Sequence, residues 1–149
     1  MAASAWIATS SIVVRFADTN VLLYAISTDP GEQRKAEQAD DLLQKRDLAL
    51  SVQVLQEFYV QATRASRQDR LAPDQAARLV ESLLRFRVVD ITPEIVTAAI
   101  ATHQRFQLSY WDAAIIEAAR SLGCSTVLSE DLSHGQDYGG VRVENPFLG

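Results

Sequence analysis

Cysteine is nearly absent: across 149 residues only Cys124 carries a thiol. A lone cysteine excludes an internal disulfide and a thiolate zinc site. It is in keeping with a reducing cytoplasm, the expected location. Long apolar runs are missing too. No stretch approaches the ~18 apolar residues that a membrane-spanning helix needs, so no membrane association is expected. Repeats, low-complexity tracts and linker-like segments are also lacking. Positive charge is in short supply, since 14 Lys and Arg against 19 Asp and Glu leave a net charge of −5. That balance argues against a protein that holds nucleic acid by charge alone. A nuclease whose acids are neutralised by a divalent ion is not excluded, because a bound cation reverses the local electrostatics.

Hydrophobic residues make up 48% of the chain, enough for one well-buried core. Residues 1–11 are small and mostly polar, without the positive start of a signal peptide. They are expected to be a flexible leader, or the product of a start codon assigned too far upstream. Residues 12–149 then form a single domain. Ile12 to Ala17 reads as a mostly buried strand, although Arg15 is awkward there. A short helix is expected over Asn20–Ile26, a turn at Asp29-Pro30-Gly31, and a charged helix over Glu32–Arg46. Leu48–Leu50 is a brief strand. Ser51 caps a helix running to about Arg67, with Val54, Leu55, Phe58 and Ala62 along its inner stripe.

Pro73 opens a helix carrying Ala76, Leu79, Val80, Leu83 and Leu84, and Val88–Ile91 is a strand. Thr92-Pro93 starts a helix to about Phe106, and Ser109 starts another that Gly123 stops near Leu122. Ser125–Leu128 and Val141–Val143 are strands. This alternation gives the fold class: α/β, with a parallel sheet covered on both faces.

Sites in such sheets form beyond the C-terminal strand ends. Asp18 and Asp131 stand there, directly after apolar runs. Asp18 is also a natural turn or cap residue, and either Glu130 or Asp131 could be a solvated turn acid. Asp112 has capping-box spacing from Ser109, yet it heads the stripe of Ile115, Ile116 and Ala119 and should be half-buried. Glu57 borders the apolar stripe of its helix, on the face that also carries Gln61 and Arg64. Carboxylates from distant parts of the chain could converge at one edge, as a hard cation such as Mg2+ or Mn2+ requires.

Four segments in order resemble the PIN-domain family, and within it the VapC-type toxins of toxin–antitoxin modules. They are Phe16-Ala17-Asp18-Thr19-Asn20-Val21-Leu22-Leu23-Tyr24, Gln56-Glu57-Phe58, Tyr110-Trp111-Asp112-Ala113-Ala114-Ile115 and Leu128-Ser129-Glu130-Asp131-Leu132. The tail from Gly140 to Phe147 extends the match, which runs from about Val13 onward. The resemblance implies a three-layer α/β/α fold around a mainly parallel sheet. It assigns Asp18, Glu57, Asp112 and Asp131 as catalytic, metal-holding acids, with Glu57 joining on this ground above all. Thr19, Asn20 and Ser129 resemble supporting polar residues. Two departures stand out: Gln56 occupies a usual asparagine position, and Ser133–Asp137 lacks a further aspartate and phenylalanine found in many relatives.

The implied activity is a Mg2+- or Mn2+-dependent ribonuclease, the toxin of a pair neutralised by a VapB-like antitoxin and forming a homodimer. Leu22, Leu23, Tyr24 and Tyr59 could serve the core or such interfaces. Arg64, Arg67 and Arg70 fall three apart and could line up phosphates beside Glu57, or simply solvate a helix end. His134 could touch RNA, whereas His103 reads as an ordinary helix residue. A housekeeping PIN nuclease in RNA processing and a catalytically silent binding module are the alternatives. A phospho-receiver domain is disfavoured because no lysine follows Lys45. A haloacid-dehalogenase-type phosphatase is disfavoured because Asn20 stands where its second aspartate would be.

Overall fold

The computed structural model describes residues 14–149. The expected leader, with Ile12 and Val13, lies outside the described residues. Five short strands form one sheet: β1 (Arg15–Ala17), β2 (Leu48–Ser51), β3 (Arg87–Val89), β4 (Thr126–Leu128) and β5 (Arg142–Glu144). Their order is β3-β2-β1-β4-β5 and every pairing is parallel. Six helices accompany them: α1 (Thr19–Ala25), α2 (Gln33–Gln44), α3 (Val52–Ala62), α4 (Pro73–Leu83), α5 (Pro93–Phe106) and α6 (Tyr110–Ser121). The α/β class, the central parallel sheet and the expected element order all hold.

The central strands β1, β2 and β4 are mostly apolar because a parallel sheet covered by helices is buried on both faces, whereas edge strands β3 and β5 carry exposed Arg87, Arg142 and Glu144. Phe16, Leu48, Leu50, Val127, Leu128 and Val143 have 2% exposure or less. Onto them pack Val54 and Phe58 of α3 and Ile115 and Ile116 of α6. Each large apolar side chain so buried contributes about 1.5–3 kcal/mol relative to exposure. Arg15 is tolerated because it begins β1, where its guanidinium forks onto the Asp47 carboxylate with its closest contact at 3.1 Å.

Helix starts follow their caps. The side chains of Ser51, Thr92 and Ser109 accept the amide protons of Val54, Ile95 and Asp112. Gly123 ends α6 in the left-handed region at φ 76°, which a side chain would strain.

Three expectations need correction. Helix α3 stops at Ala62, not near Arg67. Thr63 Oγ1 donates to the Tyr59 carbonyl at 2.8 Å, and the Leu71 amide donates to the Ala62 carbonyl at 2.8 Å. These bonds fold the following turns back over the helix end, so Arg64, Arg67 and Arg70 form no helical strip. Leu84 lies past the end of α4 and is 57% exposed, and Ile91 lies past β3 at 52%.

The sheet order positions the site. From β1 the chain builds outward to β2 and β3, then crosses back to add β4 and β5 on the other side. The β1–β4 boundary is therefore the topological switch point, where a crevice opens beyond the strand ends. The register Ala17↔Leu128 brings Asp18 and Ser129 side by side at its mouth, and the Asp18 amide donates to the Leu128 carbonyl at 3.0 Å.

Candidate active site

Asp18 leaves β1 as the N-cap of α1, and its Oδ1 accepts the Thr19 amide at 2.7 Å. Its Oδ2 accepts the Ser129 hydroxyl at 2.8 Å. The carboxyl is buried, and burial is the main reason its pKa is pushed up to about 6. The bonds from Ser129 and Thr19 pull it back down, while the Asp131 and Glu57 charges raise it further.

Asn20 ties both sides of the switch point together. Its Nδ2 reaches Asp131 Oδ2 at 3.2 Å and lies 3.4 Å from both Asp18 Oδ2 and Ser129 Oγ. Its Oδ1 accepts the Glu130 amide at 3.3 Å. Ser129 Oγ in turn accepts the amides of Asp131 and Leu132, which fixes the turn that presents Asp131 to solvent.

Asp112 enters from the first turn of α6, half-buried as its place on the stripe requires. Desolvation raises its pKa, opposed by the Ser109 contact and assisted by Asp131. Glu57 comes from the second turn of α3. Gln53, one turn earlier, donates from Nε2 to Glu57 Oε1 at 2.9 Å and lies 3.2 Å from the Trp111 carbonyl, linking α3 to α6.

All four acids line one cavity of about 90 Å3, together with Thr19, Asn20, Leu23, Gln53, Gln61, Trp111 and Ile115. Larger depressions lie elsewhere, among them an apolar one between α3 and α4, but they contain none of the four acids. Size here does not follow chemistry.

The donors suit a hard divalent ion: carboxylates, side-chain amides and a hydroxyl, with no sulfur or imidazole. Thr19 Oγ1 is buried in this wall and, among the described residues, has no hydrogen-bond partner. A buried hydroxyl left unmatched is costly, and a cation or its water would satisfy it. Among the described residues no group of three or more acids stands preassembled to grip an ion.

Other candidates are drawn elsewhere. Arg64 is exposed in the turn after α3. Arg67 pairs with Asp69, Nε to Oδ1 at 3.0 Å, and its Nη2 lies 3.4 Å from the Leu23 carbonyl. His134 Nδ1 accepts the Asn145 amide at 3.0 Å, stitching the loop after β4 to the C-terminal tail. Neither arginine nor the histidine lines the acid cavity. Asp137 caps a tight turn by accepting the Gly140 amide. Glu130 does not join the acids: the Tyr24 hydroxyl and the Lys35 ammonium hold its carboxylate, whose pKa lies below the usual range.

Sequence reasoning missed Gln53 and emphasised Gln56, which is exposed. The signal was available, since Gln53 is a polar residue on the buried stripe four positions before Glu57.

The PIN domain model matches residues 15–135. The chain belongs to the PIN-domain family. Several solved structures share its fold at low identity. A toxin–antitoxin complex from Klebsiella pneumoniae aligns with TM-score 0.65 and 21% identity, covering 89% of this chain and 98% of that one. A DNA-bound VapBC complex from Salmonella typhimurium gives 0.63 and 21%, over 90% and 98%. A VapC toxin from Mycobacterium tuberculosis, described as cleaving the sarcin–ricin loop, gives 0.59 and 18%, over 78% and 89%. Among curated proteins none matches the sequence at a significant level. Among the described residues no helix is long and apolar enough to cross a membrane.

Proposed function

We propose that this PIN protein is a divalent-metal-dependent endoribonuclease, acting in the cytoplasm as the toxin of a toxin–antitoxin pair. The observation that carries the reading is the meeting of Asp18, Glu57, Asp112 and Asp131 in one cavity at the switch point, with Asp18 buried. Four carboxylates in one small cavity repel one another and disfavour folding unless a cation offsets them. A module used only for protein contacts gains nothing from that cost.

In this reading Asp18, Asp112, Asp131 and Glu57 would hold Mg2+ or Mn2+, directly or through water, and the bound ion would supply Lewis-acid activation of water and charge neutralisation at the scissile phosphate. The Thr19 amide and the Asn20 and Ser129 side chains fix the carboxylate orientations of Asp18 and Asp131. Gln53 does the same for Glu57. Leu23, Ile115 and Trp111 form the apolar part of the wall.

The toxin role is supported by the fold likeness to the toxin–antitoxin complexes above. It carries two further expectations, a VapB-like antitoxin that blocks the acid cavity and a homodimer. Induced expression in a bacterial host tests the role. Growth arrest with degradation of cellular RNA is expected from the native chain, and neither from Asp18→Asn. Normal growth with intact RNA, at equal protein levels, would overturn it.

A further inference from the structure

Trp111 is 65% accessible, the largest side chain among the exposed apolar ones in the described residues. An indole left in water forgoes more apolar gain than any other side chain. Trp111 forms the partition between the acid cavity and a second cleft of about 70 Å3, whose walls include Gln53, Gln56, Asp90 and Tyr110. Tyr110 meets it edge-to-face, ring centroids 5.1 Å apart at 82°, which steadies the indole while leaving ring surface open.

The partition is coupled to the acids on both sides. Asp112 is the next residue, and Gln53, which holds Glu57, also lies 3.2 Å from the Trp111 carbonyl. A phosphate drawn to the acids therefore has an adjoining nucleoside within reach of the indole.

We propose that Trp111 is the stacking platform for the base beside the scissile phosphate, and that the second cleft faces that base's edge. The inference rests on the ribonuclease reading and specifies its substrate as unpaired at that nucleotide. Stacking on an aromatic ring accepts any base, but only one whose face is not already covered in a duplex. The guanidinium of an arginine-rich protein segment also stacks on indole. The cleft chemistry favours the base. Exposed Gln56 both donates and accepts, as base edges do, whereas a guanidinium only donates, and Asp90 beside it can accept from a base amino group.

The test uses the full chain carrying Trp6→Phe, so that Trp111 is the sole tryptophan. With Mg2+ present, a non-cleavable single-stranded RNA analogue of mixed sequence is expected to quench its fluorescence. The same strand lacking bases, or annealed to its complement, is expected to leave it unchanged. Trp111→Ala should raise KM for single-stranded RNA about tenfold at similar kcat, with Trp111→Phe close to native. Unchanged KM in the alanine variant, or RNA that binds without quenching, would overturn the platform while leaving the nuclease reading intact. Quenching by an oligoarginine peptide but not by RNA would overturn it in favour of a protein contact. Absence of metal-dependent cleavage by the folded native chain would instead overturn the underlying nuclease reading.

Discussion

Asp18 carries the largest consequence of any single residue. Its carboxyl is raised to about 6, chiefly by burial, so the native state holds this proton more tightly than the unfolded chain. The Asp18 contribution is therefore most favourable below about pH 4. It is lost as pH rises to about 6, costing up to about 3 kcal/mol in metal-free protein. Asp18→Asn removes the titration. Thermal melts without metal should show the variant several degrees more stable than the native chain at neutral pH, with the two converging near pH 4. Identical pH profiles would contradict the burial argument. Gln53 offers a second residue-scale test. Gln53→Ala leaves Glu57 unheld and should lower metal-dependent cleavage about tenfold, as loss of a supporting bond to a ligand does. Unchanged cleavage would mean that Glu57 needs no orientation.

Elements show why part of this was legible in the sequence and part was not. Caps are local, so Ser51, Thr92-Pro93 and Ser109 announced their helices from a few adjacent residues. Ends that depend on returning chain were not legible: α3 stops where Leu71 bonds back to Ala62, nine positions away. The arginine strip read into α3 failed for that reason. The fate of Glu130 was equally hidden, because its partners Tyr24 and Lys35 come from α1 and α2. Lys35 links three elements, since its ammonium also lies over the Tyr24 ring at 4.9 Å from the centroid. Lys35→Met should cost under about 1 kcal/mol of stability, as exposed ion pairs do. It should nevertheless reduce cleavage, because a released Glu130 disturbs the turn that Asn20 and Ser129 hold around Asp131. A large loss of thermal stability with normal cleavage would refute that division.

At the scale of the whole molecule, the alternation of strands and helices settled the class, and strand ends pointed to Asp18 and Asp131. What no local pattern contains is the sheet order, which makes β1–β4 the switch point and draws α3 and α6 toward it. Glu57 and Asp112 are 55 residues apart in sequence and meet only through that order. Asp112 was read from its place at the head of a core-facing stripe and Glu57 mainly from resemblance, and the cavity brings both beside Asp18 and Asp131. The proposed metal site should also couple folding to metal. An ion at a hundred times its dissociation constant should stabilise the domain by about 2.7 kcal/mol. The melting temperature of the native chain should rise accordingly, and that of Asp18→Asn should rise little. The most direct measurement of the central claim is cleavage of a single-stranded RNA by purified native chain and folded Asp18→Asn, each with Mg2+ or Mn2+ and then with chelator. Cleavage by the native chain alone, abolished by the chelator, is the expected result. Equal cleavage by both proteins, or cleavage indifferent to the chelator, would contradict it.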